Sequence, residues 1–404
     1  MNIGSEDMTK AEIQTFRALY EKELFDTIVP FWEKYSLDRE QGGYLTCIER
    51  DGRIFDHDKF IWMQGRELWA FSKLYNTVRH ETRWLEAAHL GAQFLRKFGR
   101  APNGDWYFAL DRDGRPLLQP YNIFSDCFCA AAFIEYSKAS GKEWARDIAI
   151  QGYQRIQERK AYPKGIWTKQ ISENRPIKAM AMPMMQLWLA GEFQGAIPDA
   201  EREYIIDESL DQILHLHLDR ERHAIFERVY PDGSHPDCME GRLLAPGHAL
   251  ETLWLVLNTA EQRGDRTMID DVAPVMLWVA ERGWDEKFGG FFYYQDYEGF
   301  PTEKLESSMK LWWVHVEALM AFLLAYRLTG EEVYESWFRK VHDWTWAHFP
   351  DHTDGEWFGY LDRKGEIELT LKGGKWKGFF HIPRALMNSS RWFAEMEESY
   401  LEVK

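Results

Sequence analysis

Cysteine is scarce. The chain has four in 404 residues, and Cys47, Cys127, Cys129 and Cys238 make no CxxC pair. No disulfide framework can be built from them, so they read as free thiols in a reducing, cytoplasmic setting. Positive charge is also short. Lys and Arg number 49 against 65 Asp and Glu, for a formal net charge of -16, and the pI is near 5.4. Neither nucleic acid nor an anionic membrane is expected as a partner. No apolar run approaches the ~18–20 residues of a membrane span. The opening stretch Met1–Lys10 is polar, without the apolar core of a signal peptide. HExxH, an EF-hand loop, GxGxxG after a strand and GxSxG are all missing, so no metal and no dinucleotide is expected. Gly373 to Gly378 is only superficially a phosphate loop, because Phe379 follows it where Lys-Ser/Thr is needed.

Aromatic residues, in contrast, are abundant at 15% with 19 Trp, and tryptophan fills a core as readily as it lines a sugar pocket. A repeat organises them. Segments 42–53, 104–116, 224–234, 289–299 and 355–365 alternate apolar and polar residues and run into a turn, most often Asp-Gly, the signature of a β-hairpin. A weaker sixth copy, 165–175, falls where the spacing requires it. Successive copies begin roughly 60 to 66 residues apart, which points to one repeat architecture spanning residues 1–404 as a single domain.

Between hairpins the pattern is helical, in pairs: 61–79 with 82–98, 122–139 with 142–159, 176–194 with 199–218, 247–263 with 266–282, and 309–329 with 331–348. A helix over 10–34 precedes the first hairpin and one over 383–395 follows the last, so that these two complete a sixth pair. The expected fold is an all-α (α/α)6 barrel with short β-hairpins on one rim.

In such a ring the helix after each hairpin is the inner one, and its first turns line the cavity. The polar residues at those starts are therefore the candidate site: Arg66, Asn122, Asp126, His248, Glu251, Glu317 and His381. His381 sits where a helix begins, and the positive helix end favours a neutral imidazole, the form a base needs. Glu251 shares a helix face with His248 and either orients it or receives an arginine such as Arg242. His315 and Glu317 are two apart and cannot both face inward; Glu317 is preferred. His215 and His217 fall on opposite helix faces and read as surface residues. Trp313 and Trp376 either stack on a sugar or pack between helices.

These residues lie within longer stretches: Asp58–Trp62 with Arg66, Gln119–Asp126, Asp237–Leu243 with Pro246-Gly-His248, Lys310–Glu317, Gly355–Tyr360 and Lys372–His381. Together they resemble the N-acylglucosamine 2-epimerase family from about Leu19 to the C-terminal helix. The resemblance implies an (α/α)6 barrel, usually a homodimer, that interconverts N-acetyl-D-glucosamine and N-acetyl-D-mannosamine. It also implies acid/base roles for His248 and His381, substrate contacts for Arg66, Glu251 and Glu317, and a sugar-facing Trp376. Some members are activated by ATP through an Asn-Pro-Lys-Gly-Lys loop. Here Pro163-Lys164-Gly165 is kept, but Tyr162 and Ile166 replace the flanking Asn and Lys. That departure counts against ATP as an allosteric activator.

The implied chemistry is consistent with the candidate residues. Inverting C2 without a redox cofactor requires the open-chain sugar, whose aldehyde acidifies the C2 proton. One histidine removes that proton from one face and the other returns one to the opposite face, while Arg66 is placed to stabilise the developing oxyanion. Cellobiose 2-epimerases and aldose–ketose isomerases of the same superfamily are the alternative. An (α/α)6 glycoside hydrolase would need two carboxylates about 6.5–9.5 Å apart and would leave the histidines unexplained. A purely protein-binding role, described for an animal member of the family, has no supporting motif.

Overall fold

The computed structural model describes residues 8–402, so most of the polar opening stretch Met1–Lys10 lies outside the described residues. The first helix is capped by Thr9, whose hydroxyl accepts from the Glu12 N–H while the Glu12 carboxylate accepts from the Thr9 N–H. This capping box opens α1 (Lys10–Lys22), which continues through a π-turn into α2 (Val29–Tyr35). Then follow α3 (Ile61–Thr77), α4 (Thr82–Phe98), α5 (Phe124–Ser140), α6 (Glu143–Arg159), α7 (Ala181–Glu192) and α8 (Asp199–Asp211). The series ends with α9 (Pro246–Arg263), α10 (Arg266–Gly283), α11 (Trp312–Thr329), α12 (Glu332–His348) and α13 (His381–Glu402).

The odd-numbered helices from α3 to α13 stand side by side, each against the next, and α13 returns to α3. Outer helices α4, α6, α8, α10 and α12 each pack on the inner helix before them, and α1 packs on α13. The result is the (α/α)6 barrel, with the first and last helices completing the sixth pair. Apolar patterning sorts the two rings. α11 is buried without a break from Trp312 to Tyr326. α4 buries only Trp84, Ala87, Ala88, Gly91, Ala92, Phe94 and Leu95, one stripe of an amphipathic helix.

The rim shows how neighbours are locked. A residue pair just before an inner helix pairs with the rim segment of the next repeat: Lys59–Phe60 with Ala109–Leu110, Lys178–Ala179 with Arg228–Val229, Leu243–Leu244 with Gln295–Asp296, and Lys310–Leu311 with Tyr360–Leu361. The copies at 42–53, 104–116 and 355–365 close into hairpins, whereas 224–234 and 289–299 keep their turns but pair only with strands outside the segment. At the seam, the N–H groups of Lys372 and Gly373 bond to the carbonyl of Ile48 in the first hairpin. The turns need glycine, with φ of 85° at Gly52, 90° at Gly114 and 88° at Gly365.

A buried charge clamp sits at three of these junctions. Asp38 accepts from Lys59 (2.9 Å) and Arg112 (2.9 Å). Asp285 accepts from Lys310 (3.3 Å) and Arg363 (2.7 Å), and Asp351 from Lys372 (2.9 Å) and Arg50 (2.6 Å). Each joins the end of an outer helix, the start of the next inner one and a hairpin turn beyond it.

Three other expectations change. The sixth copy, 165–175, forms a single 3₁₀ turn at Gly165–Trp167 and no hairpin; it lacks an Asp-Gly turn and alternating apolar partners. The helix expected from 176 begins at Ala181, because Lys178–Ala179 is taken into a strand with Arg228–Val229. His217 is fully buried, not on the surface, with Nδ1 2.8 Å from the Phe226 carbonyl; the π-turn Gln212–His217 rotates it inward, while His215 stays exposed.

Candidate active site

Inner-helix starts converge at the rim end of the ring, as the repeat predicts. His381 is the first residue of α13. The loop before it is pinned by Lys377, a wholly buried amine that donates to the Glu356 carboxylate (2.6 Å) and the Lys372 carbonyl (2.7 Å). His381 Nδ1 lies 2.7 Å from Glu317 Oε1 on α11. The Arg384 guanidinium, one turn further along α13, donates to Glu317 (2.6 Å) and to Glu251 on α9 (2.5 Å). Glu317 also accepts from the Trp254 indole N–H at 2.8 Å.

The second histidine faces the same space from α9. His248 Nδ1 lies 3.1 Å from Glu227 Oε1. The Trp313 ring packs against both imidazoles, its centre 5.1 Å from that of His248 and 5.7 Å from that of His381. With each Nδ1 tied back to a carboxylate, Nε2 of both rings is left for a substrate.

Electrostatics push the two rings apart. Burial, then Arg66 and Arg384, hold His381 well below the ordinary histidine value. Burial alone would also lower His248, but Glu227, with Glu251 and Glu317 behind it, more than offsets this and raises it. The two imidazoles are thus displaced in opposite directions, which favours the neutral form of His381 and the charged form of His248.

Among the described residues, Arg66 has no carboxylate partner within ion-pair distance. Its guanidinium lies over Phe128 (4.1 Å to the ring centre), Trp62 (4.7 Å) and Phe380 (5.0 Å), and its Nε is buried without a hydrogen bond. Burial pushes its pKa down to about 9, with Glu251 acting against this. A desolvated cation with unused donors awaits an oxygen that develops negative charge. Trp376, 53% exposed, meets Trp62 edge-on at 5.1 Å on the cavity rim.

With this geometry in view, known proteins can be compared. The N-acylglucosamine 2-epimerase family profile matches residues 43–385. The chain belongs to the N-acylglucosamine 2-epimerase family. It is therefore an enzyme of the epimerase class of isomerases. It is 38% identical to the N-acylglucosamine 2-epimerase of Mus musculus over 384 residues, covering 93% of this chain and 91% of that one. The Homo sapiens enzyme is 37% identical over 396 residues, covering 94% and 91%. In fold, the cellobiose 2-epimerase of Bacillus thermoamylovorans B4167 superposes with a TM-score of 0.80 at 22% identity, covering 94% of this chain and 99% of that one.

Not every candidate reaches the epimerase-family site. Asp126 turns outward to Arg159 on α6 (3.2 Å), and burial raises it to about 7. Asn122 spends its carbonyl oxygen on the Phe124 N–H (3.1 Å) at the start of α5. Glu251 receives Arg384 and does not orient His248; Arg242 goes to Asp296 instead (3.1 Å). His315 is structural, accepting from the Phe291 N–H (3.0 Å) and stacking on Trp344.

Two residues escaped the sequence reading. Arg384 carried a signal, since it lies three positions after His381 on the same helix face. Glu227 carried none, because it lies in the third rim segment and reaches His248 only through the ring's folding. Glu251, Glu317 and His381 bring ligand-type atoms within 4.8 Å of one another. The Arg384 guanidinium already bonds both carboxylates there, so a cation would meet a charge that is satisfied.

Proposed function

We propose that this chain interconverts N-acyl-D-glucosamine and N-acyl-D-mannosamine by deprotonating and reprotonating C2 of the open-chain sugar. One observation carries the reading: two imidazoles share one tryptophan neighbour, each anchored through Nδ1 to its own carboxylate, with pKa values displaced in opposite directions. Neutral His381 removes the C2 proton through Nε2. The electrons move to the aldehyde oxygen, where Arg66 donates to the enolate. Protonated His248 then delivers a proton to the opposite face of C2, and the roles exchange in the reverse direction. Glu317 and Glu227 hold the rings in the required orientation. Glu251 and Glu317 share Arg384, which leaves neither as the acid or base that glycoside hydrolysis would require. The identity to N-acylglucosamine 2-epimerases supports an acylamino sugar as substrate.

The test is proton NMR of the purified protein with N-acetyl-D-mannosamine in deuterated water. N-acetyl-D-glucosamine should accumulate with deuterium at C2. Product without label would sink the proton-transfer mechanism, and turnover of mannose or cellobiose alone would move the substrate. The reading also takes the active form to be a homodimer that needs neither cofactor nor nucleotide. Running the assay with and without ATP, at a concentration where light scattering reports twice the 47.9 kDa chain mass, checks both clauses.

A further inference from the structure

Four of the six inner helices bring ionisable groups to the site: Arg66 on α3, His248 and Glu251 on α9, Glu317 on α11, and His381 with Arg384 on α13. α5 supplies Phe128, which the Arg66 guanidinium already covers. The remaining wall belongs to α7, between α5 and α9, and its opening carries Met180, Met182, Met184 and Met185.

The orientation of α7 is fixed by its neighbours. Gln186 points outward, where its carbonyl oxygen accepts from Gln157 on α6 (2.6 Å). Met184, Trp188 and Glu192 are spaced by four along the opposite face. Trp188 packs on Phe128 (5.6 Å), Phe380 (5.8 Å) and Trp69 (6.0 Å), and Glu192 accepts from the Trp69 indole (3.0 Å). This stripe therefore faces the ring axis. Met184 stands one turn nearer the rim than Trp188; it is the fourth residue of α7, and Arg66, Glu251 and Glu317 are each the sixth of their helices, so all four lie within the first two turns.

The substrate class adds the chemical constraint. C2 carries an acylamino group, polar at the amide and apolar at its tail. With C2 held between His248 and His381, an alkyl tail directed at the ionised walls would strip them of solvent. The rim-side part of α7, from its N-cap Met180 to Trp188, carries no charged side chain. Methionine is unbranched, with several rotatable bonds, and repacks around groups of different length. On the function proposed above, we infer that Met184 seats the N-acyl tail and sets how long it can be, so that N-propanoyl and N-butanoyl hexosamines are substrates alongside the N-acetyl sugar.

The experiment measures kcat/KM for N-acetyl-, N-propanoyl- and N-butanoyl-D-mannosamine with the full chain, Met184→Ala and Met184→Phe. The readout is the butanoyl-to-acetyl ratio within each protein, so a general loss of turnover cancels. In the wild type the ratio should stay within about tenfold of unity; Phe should lower it about tenfold or more, and Ala should raise it. If the Phe variant does not fold, Met184→Ile supplies the stiffer β-branched side chain, with the same sign expected. A ratio constant across the variants would overturn the assignment, as would rejection of the longer tails by the wild type. Complete inactivity of the wild type toward N-acetyl-D-mannosamine would instead remove the function on which the inference rests.

Discussion

At the scale of single residues, the site is a pair of identical side chains made different by their surroundings. In the proposed mechanism, catalysis in one direction uses neutral His381 and protonated His248. The reverse uses the opposite distribution of the same single proton. Because both directions share one protonation count, their pH profiles must coincide. Activity should fall on the acid side as His381 takes up a proton, below the ordinary histidine range, and on the alkaline side as His248 loses one, above it. Glu227→Gln removes the charge that holds His248 up. The alkaline limb of kcat/KM should then move down by about one pH unit, with circular dichroism unchanged. An unmoved limb would mean that Glu227 does not set the acid. His248 and Glu317 were legible in the sequence because a helix start fixes where its first turns point. Asp126 was misplaced for the same reason read too broadly: two residues into α5, its side chain turns to α6, and only Arg159 reveals that.

At the scale of elements, the helices and their pairing followed from periodicity and turn residues, and five of six hairpin segments end in the turns expected of them. Cross-repeat pairing was not legible. It joins residues whose partners lie a full repeat away, and no local pattern encodes that register. The three Asp–Lys–Arg clamps follow from it. In each, a lysine with no exposed surface gives its charge to an aspartate, and Asp285 is held down at about 2 despite burial, by Arg363 and Lys310. Lys310→Met leaves Asp285 buried with half its compensation and should cost about 3–5 kcal/mol in urea unfolding. A loss below about 1 kcal/mol would show that Arg363 alone satisfies the carboxylate.

At the scale of the whole molecule, buried histidines set the acid limit of stability. Burial holds His217, His315, His342 and His381 below the usual value, His315 at about 3 and His342 at about 4. Unfolded, each titrates near 6.5. As the pH falls below about 6.5, the unfolded chain binds protons that the folded chain refuses. Stability should then drop by about 1.4 kcal/mol per pH unit for each ring. His248, with its raised value, acts in the opposite sense: its contribution is complete below about 6.5 and is lost as the pH rises through its folded value. Thermal melts between pH 7 and 4.5 should show a steadily falling midpoint; a flat profile would contradict these protonation states.

The ring closes through its ends. Gln14 on α1 bonds Glu397 on α13 (2.6 Å), 383 positions away. The last inner helix brings both His381 and the arginine that joins Glu251 to Glu317. On the proposed roles, a chain emerging from the ribosome with Arg66 and His248 already made still lacks its base. Chemistry is thereby deferred until the last inner helix is in place. On those roles turnover is a gauge of completed folding, because a chain without α13 lacks His381 and Arg384 together.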